Sequence, residues 1–412
     1  INVLIRYRWL EVCSYCFQKK LDMKKYRSII YIAVILVSLC SEAFALKKYE
    51  SVPGVVIKHQ PKSTGIFIGS PSICILPDGS YVVSSDEFGP KSSEYKSAKS
   101  HIYKSIDMGE SWTHIATLNG QFWSTLFYVE DNLYIMGTNK HHGNVIIRRS
   151  TDGGKTWSIP YDSKNGLLLE GEYHTAPVPV LVYGNRIWRA VEYATAKTTK
   201  WGERYSAVMM SAPLHSDLLN AENWTRSNHL PFNKSYLDGK FQAWLEGNAV
   251  ATKDGKVVNV LRVHAPELSR EYCAITDVEE QGRKLSFDSN NFFEMPGASK
   301  KFTIRYDEKS GLYWSIVNYV LESDRGSFQI NTIRNTLALV SSKDLKQWKV
   351  VDIVLTHTDP YRYGFQYVDW AFEGDDIIFV SRTAFDDEEG GSKRAHDANF
   401  LTFHRIAEFR KK

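Results

Sequence analysis

The sequence has 412 residues, of which 43 % are hydrophobic and 24 % are charged. This is the composition of an ordinary globular protein, and it excludes a disordered, collagenous or coiled-coil chain. The formal net charge is only +4, which excludes the strongly basic surface of a nucleic-acid-binding protein. Aromatic residues reach 13 %, a fraction that suits an all-β core and also a surface that binds sugars.

The first segment of the chain is interpreted as preceding the folded protein. Two lysines follow Met23, an apolar run covers residues 29–39, and Ala43-Phe44-Ala45 comes after it. A basic start, a short apolar stretch and an A-x-A site are typical of a secretory signal peptide, and the run is too short to span a membrane. We expect translated upstream sequence at 1–22, a signal peptide at 23–45 and a single domain at 46–412.

Export follows from this interpretation, and we expect the protein in the periplasm or at the cell surface. Lipid attachment at Cys40 is the less favoured alternative to cleavage after Ala45, because Leu39 is bulky where lipoprotein signals have a small residue. The expected domain keeps only Cys74 and Cys273. We predict two buried free thiols there, since two cysteines do not make a disulfide scaffold.

A self-similar octapeptide recurs along the chain and predicts a repeat protein. Its pattern, S-x-D-x-G-x-x-W, is intact at residues 105–112 (SIDMGESW) and 150–157 (STDGGKTW). Residues 341–348 carry a degenerate copy, SSKDLKQW, and residues 220–224 a shorter remnant, NAENW. In such a pattern Asp caps the backbone of a tight turn, Gly adopts a positive φ, and Trp packs beneath the turn. The octapeptide is therefore expected to stabilise β-hairpins and to take no part in chemistry.

Short runs of β-branched and aromatic residues, separated by turn residues, fill the rest of the sequence and favour strands. No long stretch has the 3.6-residue period of a helix. The runs group into about six units of about 61 residues, which suits four-stranded blades. The sequence therefore predicts an all-β fold, a six-bladed β-propeller of four-stranded blades, with seven blades as the alternative. Residues 51–59 are expected to add a strand to the last blade. The units are 65–118, 120–165, 172–232, 241–294, 299–355 and 362–409.

Taken together, the octapeptide, the export signal and the blade pattern resemble the sialidase-like β-propeller superfamily, with its Asp-box repeat, over essentially all of residues 46–412. A closer resemblance is to an exported Bacteroidetes-type subgroup whose relatives release terminal rhamnose from glucuronic acid, by a lyase-type or hydrolytic route. The resemblance implies a propeller fold and a carbohydrate-active enzyme. The segments that carry it are IFIGSPSI at 66–73, YHTAPVP at 173–179, WLEGN at 244–248, GFQYVDW at 364–370 and HDANFLTFHR at 396–405.

The match to sialidases themselves is incomplete. Sialidases carry a Phe-Arg-Ile-Pro motif on the first inner strand, whose Arg grips the substrate carboxylate, but here Gly69 stands in the place of that Arg. Glu246 and Arg262 fit the sialidase Glu and second Arg better. The resemblance therefore implies the fold, while cleavage of sialic acid is not implied.

In sialidases that Glu assists a Tyr nucleophile, and counting along the last blade places the Tyr at Phe365, flanked by Tyr363 and Tyr367. The segment around it is dense in aromatic residues and contains Gln366. Aromatic rings stack on sugar faces and an amide can bond vicinal hydroxyls, although packing between blades would need the same aromatic residues.

Propellers bind ligands in a central funnel, where we expect several polar groups to meet, Glu192 among them. His174 has the intrinsic pKa of a general base, and Glu246 precedes a Gly-Asn pair that lets backbone approach a ligand. Arg262 and His264 share one strand face by the two-residue period. Each also has a structural alternative, as a core histidine, a bridging ion pair or packing between blades. The predicted catalytic residues are His174, Glu246 and Tyr367, and the predicted substrate-binding residues are Arg262, His264, Arg334, Tyr363, Gln366 and Arg382.

The leading functional hypothesis is exo-cleavage of a terminal sugar linkage in an acidic glycan, of the rhamnosyl-glucuronate lyase or hydrolase type in preference to a true sialidase. In a lyase, Arg or Gln neutralises the uronate carboxylate and His174 or a Tyr removes the C5 proton. In a hydrolase, Glu246 or Asp369 acts as acid or base. The alternatives are a non-catalytic glycan-binding propeller and an exo-α-sialidase.

The sequence contains no phosphate-binding loop, dinucleotide-binding glycine motif or Cys-rich metal spacing. We therefore expect no cofactor and no metal, and nothing indicates Ca²⁺; the adjacent His141 and His142 are a weak metal signal. We expect no nucleic-acid partner, no membrane span and a monomer, with a glycan that bears an acidic sugar as the partner.

Overall fold

The computed structural model describes residues 49–326 and 328–412. The predicted upstream sequence, the signal peptide and Cys40 lie outside the described residues. Regular structure in the described part consists of strands and single 3₁₀ turns, and no helix there is long and apolar enough to cross a bilayer. The 3₁₀ turns are Lys62–Thr64, Ala221–Asn223, Tyr236–Gly239, Glu280–Gly282, Ser289–Asn291, Glu322–Asp324, Ile330–Thr332 and Phe409–Lys411.

The strands form five antiparallel sheets that follow one another along the chain. After β1 (Val55–His59), the first sheet contains β2 (Phe67–Ile75), β3 (Tyr81–Phe88), β4 (Lys99–Ser105) and β5 (Thr113–Asn119). The second contains β6 (Phe122–Val129), β7 (Asn132–Thr138), β8 (Gly143–Ser150), β9 (Leu167–His174), β10 (Leu181–Tyr183), β11 (Arg186–Ala194), β12 (Tyr205–Pro213) and β13 (Thr225–Arg226). The third contains β14 (Ala243–Ala251), β15 (Val257–His264), β16 (Tyr272–Glu279), β17 (Lys284–Ser286) and β18 (Phe292–Glu294). The fourth contains β19 (Ile304–Asp307), β20 (Leu312–Asn318), β21 (Thr336–Ser342) and β22 (Trp348–Thr356). The fifth contains β23 (Gly364–Glu373), β24 (Asp376–Ala384) and β25 (Phe400–Ile406), together with β1.

Neighbouring sheets contact one another through strands near their first edges. Strand β2 contacts β6 and β23, β14 contacts β11 and β19, and β20 contacts β23, so the series of sheets closes on itself. The closure is completed by β1, which pairs antiparallel with β25. This pairing confirms the predicted extra strand of the last blade, which spans Val55–His59 within the predicted segment 51–59. The all-β propeller predicted from the sequence is confirmed.

The predicted count of six separate four-stranded blades is wrong for this structure, and so is the alternative of seven. Four of the five sheets have four or five strands, and the remaining sheet has eight. Strand β9 causes the fusion, because it pairs with β8 between Leu167 and Tyr173, while Tyr173 and His174 at its end also pair with β11. The predicted units 120–165 and 172–232 therefore lie in one continuous sheet.

Turns at the octapeptides have the hydrogen bonds that the pattern predicts. Asp107 accepts from the Ser105 hydroxyl at 2.7 Å and from the Ser111 amide at 3.0 Å, while the Trp112 indole donates to the Gly109 carbonyl at 3.1 Å. The same three bonds recur in the second octapeptide. Each octapeptide therefore ties the turn after the third strand of its unit to the Trp that ends the octapeptide.

Most aromatic side chains are used in packing between sheets. Trp244, Trp370 and Tyr173 are among the largest fully buried side chains, and burial of each large apolar side chain contributes roughly 1.5–3 kcal/mol. Cys74 and Cys273 are free and buried, as predicted, and burial raises the pKa of each thiol to about 12.

Candidate active site in the central cavity

Four inner strands have an irregularity at corresponding positions, and it brings four residues together. The pairing register shifts within β2, β6, β14 and β23. The residue at the start of each shifted segment lines one central cavity, and these residues are Gly69, Trp123, Glu246 and Tyr367. Trp123, Glu246 and Tyr367 have φ angles of 49°, 49° and 55°. A β-bulge re-aims a side chain, and positive φ at non-glycine residues is a strained conformation that concentrates at functional sites.

The cavity has a volume of about 640 Å³, the size of a small-molecule site. It collects seven of the nine residues that were predicted from the sequence. The lining includes His174, Glu246, Tyr367, Arg262, His264, Arg334 and Arg382. Aromatic side chains make up much of the remaining wall, and these are Phe88, Phe122, Trp123, Trp201, Phe328 and Tyr361.

Arg262 links two of the predicted catalytic residues. Its Nη1 donates to Glu246 Oε2 at 2.8 Å, its Nε donates to the Ser299 carbonyl at 2.9 Å, and Tyr367 is a further hydrogen-bond partner. Burial acts to lower the pKa of Arg262, but the charges of Glu246 and Tyr367 outweigh it and the pKa is raised. Arg262 is therefore a fixed cation that holds Glu246 and Tyr367 on one side of the cavity.

Two further guanidinium groups approach the same tyrosine. The Arg382 guanidinium lies 4.7 Å from the centre of the Tyr367 ring and 4.4 Å from that of Phe88, and Arg334 interacts electrostatically with Tyr367. Burial lowers the pKa of Arg382 to about 10 and also lowers that of Arg334. The Nε atoms of both are buried and have no hydrogen-bond partner among the described residues. Together with Arg262, they make this side of the cavity strongly positive.

His174 lines the cavity from the second sheet and is paired with a buried carboxylate. Its Nδ1 lies 2.8 Å from Glu192 Oε2, and the two side chains are 5 % and 0 % exposed. The other carboxylate oxygen, Oε1, accepts the Gly247 amide at 3.2 Å. The edge of the imidazole meets the Trp123 ring, with 4.6 Å between centroids. A carboxylate on one nitrogen leaves the second nitrogen for a substrate.

Gly69 and Asp86 explain why an arginine is absent from the first inner strand. A Cβ at position 69 would lie 2.5 Å from both the carbonyl oxygen and the Cβ of Asp86. Asp86 accepts the Trp123 amide at 2.8 Å and a bond from Ser100. Burial raises the pKa of the Asp86 carboxyl to about 7. The space that a longer side chain would need is therefore filled by the backbone of β3.

His264 lines the cavity together with the three arginines but adds no positive charge to it. Burial, together with the charge of Arg262, lowers the pKa of His264 to about 4, so the imidazole is neutral near pH 7. Its Nδ1 is buried without a partner among the described residues. His264 therefore offers a neutral hydrogen-bonding group rather than a charge.

Tyr363 and Gln366 lie outside the cavity lining, so the structure does not bring them together with the other seven predicted site residues. Tyr363 precedes β23, donates its hydroxyl to Asp386 at 2.5 Å and stacks on His357. Gln366 is fully buried and donates its amide to the Ala395 carbonyl. Neighbouring residues of a strand point to opposite faces, so the turn of Tyr367 towards the cavity takes Gln366 away from it.

Sequence reasoning missed some of the lining. Glu94 lies 3.5 Å from His141, and both line the cavity with Trp201, Asn331 and Arg394. These residues come from loops and turns without a repeated pattern, and apart from the weak metal signal of His141 no sequence signal marks them. The described residues contain no group of three or more His, Cys, Asp or Glu that could hold a metal ion, so His141 and His142 do not form such a cluster there.

No protein-family model matches the sequence, and no curated protein matches it. Solved structures do match. The α-L-arabinanase of Penicillium chrysogenum, complexed with arabinobiose, is 12 % identical with a TM-score of 0.54, covering 87 % of this chain and 98 % of that one. The α-L-arabinofuranosidase Arb93A of Fusarium graminearum, complexed with an iminosugar inhibitor, is 12 % identical with a TM-score of 0.56 and the same two coverages. The Hadza microbial sialidase Hz136 is 11 % identical with a TM-score of 0.56, covering 87 % of this chain and 69 % of that one.

The fold is that of the sialidase-like β-propellers. At these identities the likeness concerns the fold, and the closer resemblance to a Bacteroidetes-type subgroup stays a prediction. In this propeller the polar groups gather at one central cavity, where the bulged inner strands hold Tyr367 and Glu246 and the neighbouring strand β15 holds Arg262.

Proposed function

We propose that this protein is an exported enzyme that cleaves a terminal sugar linkage in a glycan, at a sugar that bears a carboxylate. The observation that carries the proposal is that Tyr367 and Glu246 share the Arg262 guanidinium, while Arg334 and Arg382 stand beside the same tyrosine. The fold neighbours support a carbohydrate-active enzyme, since their names are arabinanase, arabinofuranosidase and sialidase.

The carboxylate preference rests on the two guanidinium groups with free N–H donors. Buried donors without partners are costly, by about 1–3 kcal/mol each, and a carboxylate oxygen would satisfy them with charge-assisted bonds. Arg334 and Arg382 both lie in the cavity wall with such an Nε. With a neutral sugar bound, the three guanidinium groups would face the single carboxylate of Glu246. A uronate or another acidic sugar brings a second carboxylate and reduces this excess of positive charge.

Sugar binding is also supported by the aromatic rim of the cavity. Trp201 is 46 % exposed and Tyr361 is 52 % exposed, and both line the cavity. Exposed aromatic rings next to a polar pocket offer apolar faces to a ligand that is itself partly apolar. The C–H faces of pyranose rings fit such surfaces, and these rings extend the site beyond the buried acidic sugar.

Two routes of bond cleavage fit the groups in the cavity. In a hydrolytic route, the Tyr367 oxygen attacks the anomeric carbon, its proton passes to Glu246, the glycosidic C–O bond breaks, and the leaving oxygen takes a proton from a water molecule. Water then attacks the same carbon and gives a proton to His174, Glu246 returns its proton to the departing Tyr367 oxygen, and the imidazolium releases its proton to solvent. In a lyase route, His174 removes the C5 proton of a uronate, a C4–C5 double bond forms, the C4–O bond breaks, and the leaving oxygen takes a proton from Tyr367.

The test is to incubate the purified protein with rhamnosyl-glucuronate oligosaccharides, a chromogenic sialoside and a chromogenic α-L-arabinofuranoside. Released rhamnose with the ultraviolet absorbance of an unsaturated uronate indicates the lyase route, and rhamnose without it indicates hydrolysis. Turnover of the arabinofuranoside alone would contradict the carboxylate preference. Release of sialic acid would favour the exo-α-sialidase alternative. Binding by calorimetry without turnover would favour a glycan-binding propeller.

Variants separate chemistry from binding in this experiment. Tyr367→Phe and Glu246→Gln are expected to lower kcat by ~100-fold or more, with smaller changes in KM. Arg382→Met and Arg334→Met are expected to raise KM for acidic substrates. Tyr306→Phe is the matched control for loss of a tyrosine hydroxyl, because Tyr306 is partly exposed and does not line the cavity.

Export is part of the same proposal and rests on residues 23–45 alone. Mass spectrometry of the protein isolated from its producing cell should give a mature chain that starts after Ala45. Retention of residues 23–45, or a lipid on Cys40, would replace this part of the proposal. The expected monomer is tested by the solution mass of the same sample.

A further inference from the structure

We infer that Glu192 is the positioning residue of the site, and that it orients His174 and the Glu246 bulge with one carboxylate. The inference rests on the proposed function, in which His174 and Glu246 take part in bond cleavage. Glu192 is fully buried on β11, directly opposite His174 on β9, and β11 also contacts β14, which carries Glu246.

The two oxygens of Glu192 have separate partners. Oε2 lies 2.8 Å from His174 Nδ1, and Oε1 accepts the Gly247 amide at 3.2 Å. The bulge in β14 interrupts pairing between Leu245 and Asn248, so the Gly247 amide needs a partner outside the strand ladder. Glu192 supplies that partner, and it thereby supports the positive φ of Glu246.

A similar arrangement supports another bulge of the ring. The Trp123 amide in the β6 bulge donates to Asp86 at 2.8 Å, from the neighbouring sheet. Asp86 accepts from the Ser100 hydroxyl with its second oxygen, and Glu192 likewise holds its bulge with one oxygen. The other is committed to an imidazole that lines the cavity.

A buried cation lies near the carboxylate of Glu192. Arg189 is fully buried and interacts electrostatically with Glu192, while it donates to the carbonyl oxygens of Val178 and Ala176 at 2.7 and 2.8 Å. A carboxylate accepts hydrogen bonds only, so the proton of His174 must sit on Nδ1. The lone pair of Nε2 is then free, and His174 enters the reaction as a proton acceptor.

Glu192→Gln separates the two tasks of the carboxylate, because an amide has one acceptor and one donor. If the amide oxygen keeps the Gly247 bond, its NH₂ donates to Nδ1 and moves the imidazole proton to Nε2. The lone pair that faced the cavity becomes an N–H. A wrong tautomer of this kind removes general-base catalysis while the geometry stays intact.

The experiment measures the tautomer of His174 by nitrogen NMR of the full-length protein labelled at histidine, with the His174→Gln variant used for assignment. We expect the Nδ1–H tautomer in the wild-type protein and the Nε2–H tautomer in Glu192→Gln. On a substrate that the wild type turns over, kcat should fall by ~100-fold or more with KM changed less than about threefold. Asp307→Asn is the matched control, since Asp307 is a buried carboxylate bonded to Arg410 away from the cavity.

An Nε2–H tautomer in the wild type would overturn the inference, and so would an Nδ1–H tautomer with undiminished kcat in Glu192→Gln. If the wild type turns over none of the substrates, the proposed function fails, but the tautomer measurement still decides the role of Glu192. If Glu192→Gln does not fold, Glu192→Asp replaces it. The shorter side chain cannot reach both partners, and unchanged kcat and tautomer in that variant would also overturn the inference.

Discussion

The guanidinium of Arg262 and the carboxylate of Glu246 form an ion pair with 2.8 Å between Nη1 and Oε2, and their side chains are only 6 % and 3 % exposed. A buried pair of this kind has lost the hydration of both charges. Removal of either partner therefore leaves the other charge buried without water or a counter-ion. The pair also lies beside the functional cavity. Its contributions to stability and to activity can therefore be separated by substitution.

Glu246→Ala is expected to reduce the free energy of unfolding by about 3–5 kcal/mol, because it leaves the Arg262 charge buried and unpaired. Glu246→Gln keeps a hydrogen-bond acceptor and should cost less. The double variant Glu246→Leu/Arg262→Met should recover most of the stability of Glu246→Ala but none of the activity. Urea unfolding of the four proteins measures this. Equal destabilisation in Glu246→Ala and in the double variant would show that the unpaired charge is not the cause.

The fold could be predicted from the sequence where the signal is local. Octapeptides, strands and turns repeat along the chain, and the ring closure by residues 51–59 follows from the need to pair the last blade. Even the degenerate octapeptide keeps its turn, because Leu345 adopts a φ of +65° in the place of glycine and accepts the Trp348 indole at 2.9 Å. The number of sheets could not be predicted, because β9 has the pattern of an ordinary strand. Nothing in that pattern shows that β9 pairs with both β8 and β11 and so joins two predicted blades into one sheet.

The candidate site was predictable to the extent that charged and polar residues stand at strand positions where a core residue is expected. His174, Glu246 and Arg262 were found in this way. The direction of a side chain within a bulged strand was not predictable, since one extra residue reverses the alternation of faces. This is why Tyr367 faces the cavity and Gln366 does not. Loop residues such as Trp201 and Glu94 carry no periodic signal at all.

Asp86→Asn is expected to make the protein more stable than the wild type at neutral and alkaline pH. Burial raises the pKa of Asp86 to about 7 from its ordinary value of 3.8, so the folded state holds a proton that the unfolded state releases. The stability from Asp86 is fully present below about pH 4 and is lost as the pH rises through about 7. The difference in the free energy of unfolding between the variant and the wild type should therefore grow between about pH 4 and about pH 7. It should reach on the order of 4 kcal/mol at most.

The wild type and Asp86→Asn must be compared at each pH, because buried histidines also change the stability in this pH range. Their contribution to stability rises with pH, whereas that of Asp86 falls. Burial lowers the folded-state pKa of several histidines, so their contribution is lost as the pH falls from their ordinary value. They are His142, His264, His396 and His404. These effects are common to both proteins and cancel in the difference. Urea unfolding at about pH 5 and about pH 8 measures it, and a difference that does not change with pH would contradict the raised pKa.

Asp152→Ala is expected to destabilise the fold by about 1–2 kcal/mol without changing activity. The Asp152 carboxylate accepts the Lys155 and Thr156 amides at 3.0 and 2.9 Å and the Thr156 hydroxyl at 2.6 Å, and the turn lies outside the cavity. Lys155→Ala, on the same turn, is the control and should stay within about 0.5 kcal/mol of the wild type. Thermal unfolding and turnover are measured together. A loss of turnover in folded Asp152→Ala would show that the octapeptide does more than hold its turn.

Trp201→Ala is expected to weaken binding of an oligosaccharide by about tenfold, which is ~1.4 kcal/mol, while a small chromogenic glycoside loses less. Trp201 is 46 % exposed, and its ring centre lies 6.2 Å from that of His174 and 5.5 Å from that of His264. This position at the mouth of the cavity, above two imidazoles, suits contact with a sugar beyond the one whose bond is cleaved. The expected result is a rise in KM for the oligosaccharide with kcat little changed.

Tyr161→Ala is the control, because Tyr161 is 69 % exposed and does not line the cavity. An equal loss on both substrates would place Trp201 against the terminal sugar instead, and a fall in kcat alone would make it a support for His174.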